Sequence, residues 1–138
     1  MSWRIYFEEI PSALMMKRLR KVEYLRNFRT MEQFFQDLKT GDLPTYAWME
    51  PRYYSLFNMP ANDQHPAHAV NEGERLMKTI YEALRASPAW NDSLLMITYD
   101  EHGGFYDHFP TPLHDIPNPD GLVSVKPCLL YTSDAADE

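Results

Sequence analysis

The sequence predicts an α/β fold, a mostly parallel sheet with flanking helices, and three observations carry that expectation. An apolar and aromatic stretch, "LPTYAWME" (43–50), is followed by a helical period over about 69–86 and then by the apolar run "SLLMITY" (93–99). Strand, helix, strand in that order is the pattern of a right-handed crossover between parallel strands. The run at 93–99 lacks polar alternation, as expected of a strand buried on both faces. Polar, chemistry-bearing residues gather where these strands end: Glu50 closes the first, and Asp100 and Glu101 close the second.

The individual elements follow from local chemistry. "PSALMMKRLR" (11–20) reads as a helix, with Pro11 and Ser12 at its start and Leu14, Met15 and Leu19 on one face. "TMEQFFQDLKTG" (30–41) is a clearer helix: Thr30 and Gln33 form a capping-box pair, Met31, Phe34, Phe35 and Leu38 line one stripe, and Gly41 stands where the helix stops. Pro51 halts the strand at 43–50, and a long polar, aromatic segment leads to the next helix. That helix repeats apolar residues at Val70, Met77, Ile80, Ala83 and Leu84 and ends at Ser87-Pro88. Beyond residue 109, five prolines with asparagine and aspartates give turn chemistry.

Composition excludes several classes. The formal net charge of −7 argues against a nucleic-acid binder working through a basic field. No apolar stretch approaches the ~20 residues of a membrane span, and nothing resembles a signal peptide, which leaves the compartment unassigned. Cys128 is the single cysteine, so neither an internal disulfide framework nor a cysteine-based zinc site is available. One stretch opposes the overall charge: Lys17, Arg18, Arg20, Lys21, Arg26 and Arg29 stand against Glu23, as a solvated face or a patch for lipid headgroups. The final residues, "CLLYTSDAADE", match the translation of a transposase sequencing adapter. The natural sequence is therefore expected to end near Pro127, with 128–138 a non-native tail and 1–127 a piece of a larger domain.

In open parallel sheets ligands bind beyond the carboxyl ends of the strands. His65 and His68 lie on the loop leaving the first strand, so they are expected at the same edge as Glu50, Asp100 and Glu101. Adjacent carboxylates at a chain turn suit a hard divalent cation, which would keep both ionised. Gly103 and Gly104 suit a sharp backbone turn or a close approach to ligand. His102, Asp107 and His108 are candidates to contact substrate or to orient a metal ligand. His65 reads either as an exposed imidazole in an Asx turn or as a proton donor or cation facing a phosphoryl group; His68 is its partner or merely begins the helix. Arg52 pairs with Glu50 or grips an anionic headgroup. Trp48, Tyr53, Tyr54 and Phe57 wall a pocket or fill the core.

"LLMITYDEHGGFYDHFPTP" together with "NPDG" (118–121) resembles the phosphoesterase family that contains phosphatidylcholine-preferring phospholipases C and bacterial acid phosphatases, nearest to the plant-type non-specific phospholipases C. The resemblance covers residues 2–127. It implies an alkaline-phosphatase-like α/β fold, of which this chain is a part, and phosphoester hydrolysis with phospholipid the expected substrate. It also implies a divalent metal at Asp100 and Glu101 and a catalytic role near the phosphoryl group for His65, with Asp107 and His108 completing the signature. Peripheral contact with a membrane is compatible with that substrate. The family's E-N-R-S-F, T-x-P-N-R and G-x-R-V-P segments do not occur here, and Ser124 does not match the nucleophile's segment. Half an active site, inactive alone, is the expectation. A phosphatase of soluble monoesters and a noncatalytic headgroup- or metal-binding remnant are the competing readings.

Overall fold

The structure, a computed structural model, describes residues 1–56, 58–100 and 108–109. It divides into two units, Met1–Leu95 and Met96–Glu138. The first holds a three-stranded, fully parallel sheet of β1 (Trp3–Phe7), β2 (Phe28–Thr30) and β3 (Tyr46–Glu50), in the order β2-β1-β3. Its helices are α1 (Val22–Leu25), α2 (Met31–Thr40) and α3 (Val70–Arg85).

β1 is the centre of the sheet. Ile5 and Tyr6 point to opposite faces and both are buried, as a strand with neighbours on each side requires. Phe7 stands opposite Thr30 on one side and Glu50 on the other, so the carboxyl ends of all three strands meet along one edge. Because β2 and β3 flank β1, the β2–α2–β3 crossover spans the central strand.

The α2 helix forms as its sequence dictates. The Gln33 amide donates to Thr30 Oγ1 at 3.3 Å while the Thr30 amide donates to Gln33 Oε1 at 3.1 Å, and Gly41 terminates the helix in the left-handed region at φ 73°. Its stripe of Met31, Phe34 and Leu38 packs with Tyr6 and with Ile80 and Leu84 of α3 to make the core. Tyr6 and Phe34 meet edge to face at 5.1 Å between ring centres.

Tyr6 also carries the core's polar connection. Its hydroxyl donates to Asp37 Oδ2 at 2.6 Å; Arg4 Nη1 reaches the same oxygen at 2.7 Å and Arg4 Nη2 reaches Asp42 Oδ2 at 2.8 Å. The central strand is thereby tied to the last turn of α2. Burial, and then the bond to Asp37, push the Tyr6 hydroxyl up to about 12.

Three expectations change. Residues 11–20 are not one α-helix but two 3-10 turns, Ser12–Met15 and Lys17–Arg20, with α1 following. Met16 and Lys21 between them are extended, and none of the three elements buries a residue, so no packed face supports a continuous helix. Residues 93–99 form no strand. The boundary between the two units falls inside this run, after Leu95, and among the described residues it pairs with no strand; Leu94 is 84% and Met96 74% exposed. The parallel sheet exists, but β1 and β2 supply the strands that the run at 93–99 was expected to provide.

Tyr6 gives this packing a pH signature. Its proton is held in the folded state to about pH 12 but is lost near 10 in the unfolded chain. Stability is therefore full below pH 10 and falls between 10 and 12. Tyr6→Phe should lower unfolding free energy by about 1 kcal/mol at neutral pH and flatten the alkaline decline in urea titrations. An equally steep decline in the variant would contradict this assignment.

Candidate functional site at the carboxyl edge of the sheet

Two carboxylates follow β1 directly, Glu8 and Glu9, and Glu50 ends β3 in register with Phe7, the residue before them. Their jobs differ. Glu50, only 2% exposed, accepts the backbone amides of Ser12 at 2.5 Å and Ala13 at 3.1 Å. Burying a carboxylate demands such donors, and here they fix where the chain turns after β1. Glu8 forms an ion pair with Arg52 and accepts from Asn62 Nδ2 at 3.0 Å. Glu9 Oε1 takes the amides of Tyr53 at 2.6 Å and Tyr54 at 3.1 Å, while its Oε2 is buried with no hydrogen-bond partner among the described residues.

Asn62 joins this edge to the following loop. Its Oδ1 accepts from the Arg52 amide at 2.6 Å, and its own amide donates to the Arg52 carbonyl at 2.9 Å. Arg52 Nε adds a bond to the Pro60 carbonyl at 2.7 Å. Arg52 therefore pairs with Glu8, not with Glu50, because Glu50 is already committed to backbone amides.

The imidazoles come next. Asp63 Oδ1 lies 2.7 Å from His68 Nδ1 and accepts the His65 amide at 3.4 Å. His65 Nδ1 lies 3.2 Å from the Pro66 carbonyl, and the two rings are 6.2 Å apart. This tight turn costs backbone strain: Gln64 and Ala67 both adopt left-handed conformations, at φ 65° and 77°. Gln64 is anchored in return, donating to the Val70 carbonyl at 2.9 Å and lying over Gly73 of α3. A Cβ on Gly73 would stand 2.2 Å from Gln64 Cγ and 3.0 Å from the Asn62 carbonyl oxygen.

The first unit holds Glu50, Arg52, His65 and His68. Contacts join Arg52 to Glu8 and Asn62, and join His65 and His68 to Asp63, whereas Glu50 is bonded to Ser12 and Ala13; Glu8, Glu9, Asn62 and Asp63 were not singled out from the sequence. The missed residues had a signal: two glutamates directly after a five-residue run of strand formers, and an Asn-Asp pair ahead of the first histidine. Asp100 and His108 are exposed residues of the second unit. Glu101, His102, Gly103, Gly104 and Asp107 lie outside the described residues, as do Phe57 and the segment from 110 onward. Trp48 and Tyr54 are too exposed, at 46% and 69%, to be core. Among the described residues no three His, Cys, Asp or Glu side chains stand close enough to hold a metal ion.

In open parallel α/β sheets the carboxyl edge, which here carries carboxylates, is where ligands bind. Residues 1–133 match the phosphoesterase family, and the chain belongs to it. It is 52% identical to non-specific phospholipase C4 of Arabidopsis thaliana over 127 residues, covering 91% of this chain and 24% of that protein. Against non-specific phospholipase C5 of the same plant the identity is 53% over 124 residues, 89% of this chain and 24% of the relative. Non-hemolytic phospholipase C of Burkholderia pseudomallei is 35% identical over 93 residues, 66% of this chain and 12% of its own length. The chain spans about a quarter of the plant relatives it matches.

Two substitutions probe this edge. Glu50→Gln removes the charge and one of two acceptors at a buried position, and should destabilise the chain by about 1–3 kcal/mol in urea unfolding. Gly73→Ala gains helix propensity, yet should still destabilise by about 1–3 kcal/mol by displacing Gln64. Amide shifts at 62–68 would move with it; unchanged shifts would show that Gln64 is not the anchor.

Proposed function

We propose that this chain is a segment of the catalytic domain of a phosphoric ester hydrolase, acting as a phospholipase C on glycerophospholipids of the phosphatidylcholine type. The observation that carries this reading is the extent of the likeness: near half or more of the residues are identical to proteins named phospholipase C across nine-tenths of the chain. The carboxyl edge supports it with groups suited to an anionic ester.

Asp100 and Glu101 would hold a divalent metal, for which adjacent carboxylate oxygens are the right hard donors. When bound, that ion would polarise the phosphoryl oxygens and offset developing negative charge. His65 faces the transferring phosphoryl group, and an imidazole of this loop supplies the proton that the leaving oxygen requires. The hydroxyl nucleophile comes from outside this stretch. Arg52, paired with Glu8, shapes the edge. Contact with the bilayer is peripheral: no helix among the described residues is long and apolar enough to cross a membrane, whereas Met15, Met16 and Val22 are exposed beside the basic residues 17–21.

In an enzyme of the relatives' full length that carries these residues, phosphatidylcholine should be hydrolysed far faster than a soluble phosphomonoester, and chelation should abolish turnover. Asp100→Asn should lower metal occupancy and rate together, by about 10²-fold or more. Preference for the monoester would move the assignment to a soluble acid phosphatase, and metal or lipid binding without turnover to a noncatalytic role.

A further inference from the structure

We propose that Asp63 is a positioning residue that makes His68 the imidazole which protonates the leaving oxygen, an inference resting on the phosphoester-hydrolase reading above. The two histidines of the loop are held differently. His65 is exposed, and among the described residues its Nδ1 faces only a neighbouring backbone carbonyl at 3.2 Å. His68 is partly buried and its Nδ1 faces the Asp63 carboxylate at 2.7 Å, a charge-assisted distance. Asp63 is only 10% exposed, and its Oδ1 is shared with the His65 amide at 3.4 Å. One carboxylate thus sets the spacing of the two rings, 6.2 Å apart.

A carboxylate accepts and cannot donate, so the neutral His68 ring must carry its proton on Nδ1, leaving Nε2 as the atom that exchanges protons. A proton donor must hold the imidazolium form before the ester bond breaks, and in that form Nδ1 still donates to Asp63 while Nε2 carries the proton to be given up. As the phosphorus–oxygen bond to the leaving group breaks and the bond to the nucleophile's oxygen forms, the departing electron pair takes the Nε2 proton of His68; the proton that the nucleophile's hydroxyl releases to solvent is regained when water displaces it from phosphorus. Over the full cycle one water is consumed: its hydroxyl ends on phosphorus, and its proton, carried by His68, ends on the alkoxide. His65 remains the contact to the phosphoryl oxygens. The left-handed backbone at Gln64 and Ala67 flanks the two rings, and the Gln64 anchor over Gly73 keeps that strained loop in place.

The first test is the tautomer of His68 in the 138-residue chain, read from long-range ¹H–¹⁵N spectra above pH 7.5. Wild type should show the Nδ1–H form, Asp63→Ala should lose it, and Asp63→Asn, which keeps an accepting oxygen, should restore it. An Nε2–H ring in wild type overturns the proposal whether or not the variants fold. The second test uses the full-length enzyme and two esters, one releasing an alkoxide and one releasing p-nitrophenolate. Asp63→Ala should slow kcat for the alkyl ester by about 10²-fold, with a much smaller loss on the nitrophenyl ester and little change in KM. Equal losses on both esters would make Asp63 merely structural and overturn the proposal. Absence of turnover in wild type would overturn the hydrolase reading and the proton-transfer role with it, a result distinct from a wrong tautomer.

Discussion

The ion pair between Glu8 and Arg52 is the contact on which the geometry of this edge depends. Glu8 follows the central strand and Arg52 follows its neighbour β3, so the pair joins the exits of two parallel strands. Both side chains are largely buried, at 17% and 14% exposure, and each therefore needs the other. Asn62 completes the lock, bonding to the Glu8 carboxylate and to the Arg52 backbone in both directions. The next residue is Asp63, which holds the histidines. A single chain of contacts thus runs from the centre of the sheet to the groups that would meet a phosphoester.

The carboxylates along this edge are divided by their neighbours, not by their type. Glu50 is surrounded by amides and serves the backbone; Glu8 faces a guanidinium and serves the architecture; Asp63 faces an imidazole and orders the histidine loop. Glu9 spends one oxygen on two amides and keeps the other buried and unmatched among the described residues. Acidic residues at the ends of parallel strands are therefore not interchangeable candidates.

How much of this was legible in the sequence depended on how local each signal is. The α2 helix was legible to its caps, because Thr30, Gln33 and Gly41 act within one turn. So was α3, whose period is long. β1 was not recognised, since five residues between an exposed start and two glutamates carry too little pattern, and β2 is only three residues long. The run at 93–99 misled in the opposite direction: its composition is that of a buried strand, but hydrogen-bond partners, not composition, make a strand, and none among the described residues pairs with it. The place of Glu50 at the carboxyl end of its strand followed from strand direction alone. The bond between Asp63 and His68 did not, because a side-chain bond across five residues in an irregular loop leaves no periodic trace.

Hydrolysis at phosphorus of a phospholipid is the activity proposed for the enzyme to which this chain contributes. The most direct measurement is hydrolysis of phosphatidylcholine by the full-length enzyme in ¹⁸O-labelled water, with the products resolved by ³¹P spectroscopy and mass spectrometry. The expected products are phosphocholine carrying one labelled oxygen and unlabelled diacylglycerol. Label in the diacylglycerol, or phosphatidic acid and free choline in place of these products, would contradict that proposal.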